Sequence, residues 1–134
     1  MTLKIFTDGG SKGNPGPSAI GIVFYVDEKQ VYTYREDIGV TTNNVAEYTA
    51  VIRALDKVVG NPTEFGNIDS ITFVSDSSLL VNQLSGLFKV KNDRMKELVL
   101  KVKTLEIELG IPVSYVHVLR EKNTIADALV NNKF

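Results

Sequence analysis

Leu3-Lys4-Ile5-Phe6-Thr7-Asp8 and Ile71-Thr72-Phe73-Val74-Ser75-Asp76 are two short runs rich in apolar and β-branched residues, and each ends on an aspartate. Both read as strands, Leu3–Thr7 and Ile71–Ser75, with the aspartate projecting past the end. In the first, Ile5 and Thr7 face one way and Phe6 and Asp8 the other. Working outward, Gly9 to Pro17 reads as a loop, because six of its nine residues are Gly or Pro. Ala19–Val26 and Val31–Ile38 read as strands joined by the polar hairpin turn Asp27-Glu28-Lys29-Gln30. Asn43 or Asn44 starts a helix that runs to about Val59, where Gly60-Asn61-Pro62 stops it. A short helix from Ser77 to about Ser85 ends at Gly86. A longer one covers about Asn92–Leu109, with Leu98, Val102, Leu105 and Leu109 on one stripe and Gly110 beyond it. Val113–Leu119 reads as the last strand and Thr124–Asn132 as the last helix.

The first three strands form an antiparallel meander, and the later two enter through helices, so they are expected to pair in parallel with the first. This is an α/β pattern: a mixed sheet of about five strands with helices on its faces, in one domain spanning residues 1–134. The chain has 15 basic and 16 acidic side chains, a net charge of −1, so bulk positive charge does not attract nucleic acid to it. There is no cysteine, which excludes a disulfide framework, a thiolate metal site and a thiol nucleophile. One histidine, His117, excludes a His-rich metal site and leaves a Ser-His-Asp triad poorly supported. The first residues lack the apolar stretch of a signal peptide, and no run approaches a membrane span. The expected setting is the cytoplasm, and the expected state a monomer with no obligate protein partner.

If the strands ending at Asp8 and Asp76 are parallel neighbours, the two carboxylates meet at the edge where open α/β sheets bind ligands. Glu47 heads a helical stripe continued by Val51, Ala54, Leu55 and Val58, so it points toward the sheet. A lone carboxylate there costs several kcal/mol unless it is paired or holds a metal. Asp127, in the first turn of the last helix, is the fourth candidate. Each acid has a plainer reading as well. Asn44-Val45-Ala46-Glu47 and Thr124-Ile125-Ala126-Asp127 fit capping boxes, Asp76 fits an N-cap, and Asp8-Gly9 is a turn former. Capping does not, however, require Glu47 on the apolar stripe or two aspartates at adjacent strand ends.

Clustered carboxylates without His or Cys favour Mg²⁺ or Mn²⁺ over zinc. Two such ions about 3.5–4 Å apart activate water and stabilise the leaving oxygen of a phosphodiester, so the chemistry points to phosphoryl transfer. Gly9, Gly10, Gly13 and Gly16 leave backbone amides open to a phosphate or sugar, or simply form a long surface turn. Thr42, Asn43 and Asn44 lie at a helix N-terminus, which favours an anion, and Asn side chains suit a 2′-hydroxyl. Lys89, Lys91, Arg94 and Lys96 form the densest basic stretch, either a phosphate contact or a solvated helix entrance. No G-x-x-x-x-G-K-[ST] loop occurs, so nucleoside triphosphate binding of that type is poorly supported.

Thr7-Asp8-Gly9-Gly10-Ser11-Lys12-Gly13-Asn14-Pro15-Gly16-Pro17 resembles the opening signature of the type 1 ribonuclease H family. Thr42-Asn43-Asn44-Val45-Ala46-Glu47-Tyr48, Val74-Ser75-Asp76-Ser77 and Arg120-Glu121-Lys122-Asn123 with Ala126-Asp127-Ala128-Leu129 resemble its later motifs. The resemblance covers essentially the whole chain. It implies a sheet in the order 3-2-1-4-5 with strand 2 antiparallel, and an endonuclease that cuts the RNA strand of RNA–DNA hybrids. By the same resemblance Asp8, Glu47, Asp76 and Asp127 hold two Mg²⁺ or Mn²⁺ ions, with Asp8 expected to bridge them. Asn14, Asn43 and Asn44, with the backbone at Gly10 and Ser11, would lie along the RNA strand. Gly9 and Thr42 complete the expected substrate contacts on that side. The products would carry 5′-phosphate and 3′-hydroxyl ends.

Two features depart from many relatives. A basic, Trp-rich protrusion is missing, and Gly86-Leu87-Phe88-Lys89-Val90-Lys91-Asn92 runs straight into the next helix, so Lys89, Lys91 and Asn92 are expected to take over DNA-strand contact. The loop before the last helix has no His. Arg120 stands there instead, suited to steadying a phosphate but not to acting as a base. His117, inside the last strand, reads as structural. The alternatives are a hybrid-binding module without catalysis, whose binding would not need a divalent metal, and another nuclease on the same fold, which would cut branched DNA.

Overall fold

The computed structural model describes residues 1–132; the last two residues of the expected 1–134 domain lie outside the described residues. The elements in chain order are β1 (Thr2–Ser11), β2 (Gly16–Val26), β3 (Lys29–Thr41), α1 (Asn43–Gly60), β4 (Ser70–Ser75), α2 (Ser78–Leu84), α3 (Asp93–Leu109), β5 (Val113–His117) and α4 (Thr124–Val130). Among the described residues the strands form one sheet in the order β3-β2-β1-β4-β5. β2 is antiparallel to both its neighbours, whereas β1–β4 and β4–β5 are parallel. The α/β sheet expected from the sequence is therefore the one observed.

Alternation along the strands distributes side chains between two layers. Leu3, Ile5, Ile20, Ile22, Phe24, Ile71 and Phe73 pack with Val51, Leu55, Val102 and Leu105 beneath α1 and α3. Each such side chain contributes roughly 1.5–3 kcal/mol of burial. The opposite face carries a smaller cluster, in which Val23 meets Ala126 and Leu129 of α4, flanked by Phe6 and Tyr25. Helices thus cover both faces, α1 and α3 on one and α4 on the other. No helix among the described residues is long and apolar enough to cross a membrane.

Several boundaries differ from expectation. The strand expected to close at Asp8 continues to Ser11, because Gly9, Gly10 and Ser11 keep pairing with Ile20, Ala19 and Ser18. The expected Gly9–Pro17 loop shrinks accordingly to the turn at 12–15, as a glycine costs the ladder only its side chain. β3 extends from the expected Val31–Ile38 to Lys29–Thr41, leaving a two-residue turn in which Asp27 and Glu28 both take positive φ, at 46° and 71°. That is the mirror-image turn whose twist matches a hairpin. The last strand stops at His117, not Leu119, and Arg120–Lys122 form a 3₁₀ turn leading into α4, which ends at Val130.

One close approach fixes how α1 meets the sheet. A Cβ added to Gly9 would lie 2.4 Å from the carbonyl carbon of Ala46 and 2.6 Å from the nitrogen of Glu47. The backbone of α1 therefore rests on the backbone of β1. Gly9→Ala is expected to push α1 off the sheet and to cost about 1–3 kcal/mol, the usual penalty of overpacking. The check is the midpoint of urea unfolding.

Candidate active site

The register of the central ladder sets the site. The last β1–β4 pair is Phe6 with Val74, after which β1 runs on beside β2 alone. Continuing that register by two residues brings Asp8 level with Asp76, which directly follows the last residue of β4. Glu47 approaches from the α1 side, at the head of a stripe whose Val51, Ala54, Leu55 and Val58 are buried. Asp127 approaches from the opposite face, in the first turn of α4. All four carboxylates line one cavity of about 630 Å³.

The capping readings of these acids are not realised. Thr42, not Asn44, caps α1, its side chain accepting from the Val45 amide at 3.3 Å. Ser77, not Asp76, caps α2, accepting from the Leu80 amide at 3.2 Å. Asn123 occupies the N-cap of α4 and makes no side-chain cap bond there. Asp8 sits within a strand, where its Oδ1 accepts from the Gly9 amide at 3.0 Å.

Crowding of like charges in a sheltered place perturbs the group. Asp8 is only 9% exposed. Burial first, then the charges of Asp76 and Asp127, push its carboxyl up to about 8, against the pull of the Gly9 amide. Burial pushes Glu47 up to about 7, opposed by a hydrogen bond from Ser77 and assisted by Asp76. Asp76 is also raised, again mainly by burial, with the Arg120 guanidinium opposing the shift. Asp127 Oδ1 accepts from Arg120 Nη2 at 3.1 Å and from Asn131 Nδ2 at 3.3 Å.

Every candidate donor in this set is a carboxylate oxygen, the ligand type of Mg²⁺ and Mn²⁺. The raised acids mark a place short of positive charge, so the residues present fit a divalent cation. Among the described residues no three acidic or histidine side chains close into a ready-made ion site.

The other expected contacts divide into two groups. Gly9, Gly10, Ser11, Asn43 and Arg120 line the cavity with the acids. Asn14 and Asn43 are tied together beside it: Asn14 Oδ1 accepts from the Asn43 amide at 3.0 Å, and Asn43 Oδ1 accepts from the Ser11 amide at 2.8 Å. Thr42 and Asn44 lie at the exposed start of α1, next to Asn43. Lys89, Lys91 and Asn92 lie apart from the cavity, exposed between α2 and α3, and Asn92 Oδ1 caps α3 by accepting from the Met95 amide at 3.2 Å. His117 is exposed at the end of β5, paired with Ser75.

Arg35, Asp37 and Asn131 also line the cavity and were not among the expected residues. For Asn131 a signal existed, since it follows Asp127 by four residues on a helix. For Arg35 there was none without the register of the sheet.

A family model described as RNase H matches residues 1–134. A bifunctional protein of Mycobacterium tuberculosis is 37% identical over 134 residues, which is 98% of this chain and 35% of that protein. The chain thus spans about a third of the length of the first curated relatives it matches. Ribonuclease HI of Halobacterium salinarum is 37% identical over 131 residues, 96% of this chain and 62% of that protein. Among solved structures, LC11-RNase H1 in complex with an RNA/DNA hybrid superposes with a TM-score of 0.89 at 39% identity, covering 97% of this chain and 94% of that one. This chain belongs to the type 1 RNase H family.

The raised acids make stability depend on pH in a direction opposite to that of ion-paired carboxylates. With folded values near 8 and 7 for Asp8 and Glu47, the folded protein keeps protons that the unfolded chain releases near pH 4. Stability without metal is therefore expected to fall as pH rises from about 5 to 8, by up to about 1.4 kcal/mol per pH unit for each retained proton. Urea unfolding in chelator across that range reads the slope. Asp8→Asn is expected to flatten it, and Mg²⁺ to raise stability at pH 8.

Proposed function

We propose that this chain is an endonuclease that hydrolyses the RNA strand of RNA–DNA hybrids, using two divalent cations and leaving 5′-phosphate and 3′-hydroxyl ends. The observation that carries the reading is the convergence of four carboxylates, delivered by β1, α1, β4 and α4, on one cavity whose rim is a glycine-rich backbone. Membership of the RNase H family supports it, as does the likeness to a relative solved with an RNA/DNA hybrid.

Asp8, Glu47, Asp76 and Asp127 would hold Mg²⁺ or Mn²⁺. When bound, such cations supply the positive charge that the reacting phosphate needs and acidify water. The chain's own residues do the rest. Asp8 and Glu47, whose carboxyls burial holds well above the ordinary range, would have to be ionised to hold a cation, so proton loss would accompany its binding. Arg120, 75% exposed at its side chain, is long enough to leave Asp127 and meet a phosphate. Because their Oδ1 atoms are already engaged, Asn14 and Asn43 present their NH₂ groups as donors, suited to a 2′-hydroxyl or a phosphate oxygen. Gly9 and Gly10 line the cavity, the side of Gly9 without a side chain being taken by α1, and the RNA strand would pass along them with Ser11, Thr42 and Asn44 at its border. Lys89, Lys91 and Asn92, exposed outside the cavity, would meet the DNA strand.

The test is cleavage of one labelled RNA strand presented alone, paired with RNA, paired with DNA, and as the hybrid with chelator. Cleavage confined to the hybrid with free Mg²⁺ or Mn²⁺, and abolished by Asp8→Asn, is expected. Equal hybrid binding with and without metal and no cleavage would overturn the reading in favour of a binding module. Cutting of branched DNA alone would overturn it in favour of another nuclease.

A further inference from the structure

α4 carries Asp127 but is only seven residues long, too short to hold itself in place. It docks on β2 at Gly21, where an added Cβ would lie 2.5 Å from the Ala126 carbonyl oxygen. Gly21 pairs with Asp8 on one side and with Arg35 on the other. Arg35, Gly21 and Asp8 therefore form one cross-strand row facing α4, and the missing side chain in its middle makes room for the helix. Across that gap Arg35 Nε donates to the Leu129 carbonyl oxygen at 2.8 Å, while its Nη2 is held by Asp37 at 3.0 Å. Leu129 O, in the last turn of α4, also accepts from the Asn132 amide at 3.2 Å, so Arg35 is its second donor, and a cation there suits the helix dipole. The other end of α4 is pinned separately: Asn123 Nδ2 donates to Thr7 O at 2.9 Å, and Asn123 O accepts from the Asp127 amide at 3.1 Å.

We propose that Arg35 is a positioning residue for hybrid cleavage, which braces the C-terminal turn of α4 and so holds Asp127 in range of Asp8. It acts through the helix and not on the substrate. The proposal rests on the ribonuclease H reading for its activity arm, and on the fold alone for its other arms. Lysine in its place keeps the charge at the helix end but loses the fork that grips Leu129 and Asp37 together.

The test compares wild type, Arg35→Ala and Arg35→Lys by kcat and KM on a hybrid, by Mn²⁺ binding in calorimetry, and by hydrogen exchange of the α4 amides. For Arg35→Ala we expect faster exchange in α4 and a loss of roughly 10–100-fold in kcat or cation affinity, as for other residues that orient ligands. KM should stay within about twofold, and Arg35→Lys should recover part of the loss. A raised KM with unchanged kcat and cation affinity would make Arg35 a substrate contact and overturn the proposal. Faster exchange with unchanged kcat and cation affinity would reduce it to a fold brace and overturn the proposal as well. If wild type itself fails to cut the hybrid, the activity reading falls, while exchange and Mn²⁺ binding still decide the role of Arg35.

Discussion

A parallel ladder between β1 and β4, in the middle of the sheet, holds two aspartates where their charges repel. Everything else in the site depends on that ladder. It joins residues nearly seventy positions apart, Leu3 with Ile71 and Ile5 with Phe73, whose side chains are almost wholly buried in the major core. Closing so long a loop costs entropy that increases only slowly with length, and the apolar residues flanking the ladder offset it. Asp8 and Asp76 then stand at the same level because the register leaves them no other place.

The site is thus held together by its surroundings and strained by its own charges. Burial and mutual repulsion raise Asp8 and Glu47 far above ordinary carboxylates. Arg120 compensates from the rim, paired with Asp127 and with its charge also reaching Asp76. The four carboxylates make a donor set that fits a divalent cation.

Close backbone contact, together with side-chain packing, delivers the two acids that come from helices. α1 rests on Gly9 and α4 on Gly21, each so close that a methyl group would collide with helix backbone. Gly9 faces the α1 layer and Gly21 the α4 layer. The strands therefore receive Glu47 from one side and Asp127 from the other, around the same end of the sheet. Arg35 and Asn123 then clamp α4 at its two ends.

Alternation in Leu3–Thr7 and Ile71–Ser75, the apolar stripe headed by Glu47 and the glycine stops made the elements legible, because each depends on residues a few positions apart. The four acids were legible too, as charges at strand ends and on an apolar helix face. The extension of β1 through Gly9 and Gly10 was not, since glycines signal a turn locally and only pairing with Ile20 and Ala19 keeps them extended. Nor was the choice of Thr42 and Ser77 as caps, where several neighbouring polar residues compete for the same amides. The sequence by itself determined which elements form, which faces are apolar and which residues bring charge. Only the tertiary structure decided that Arg35 shares a row with Asp8, that Asn131 reaches Asp127 while Lys89 and Lys91 stay outside the cavity, and how far each acid is sheltered. Those facts depend on strand register and on the docking of α4, and both are set by contacts between residues distant in the chain.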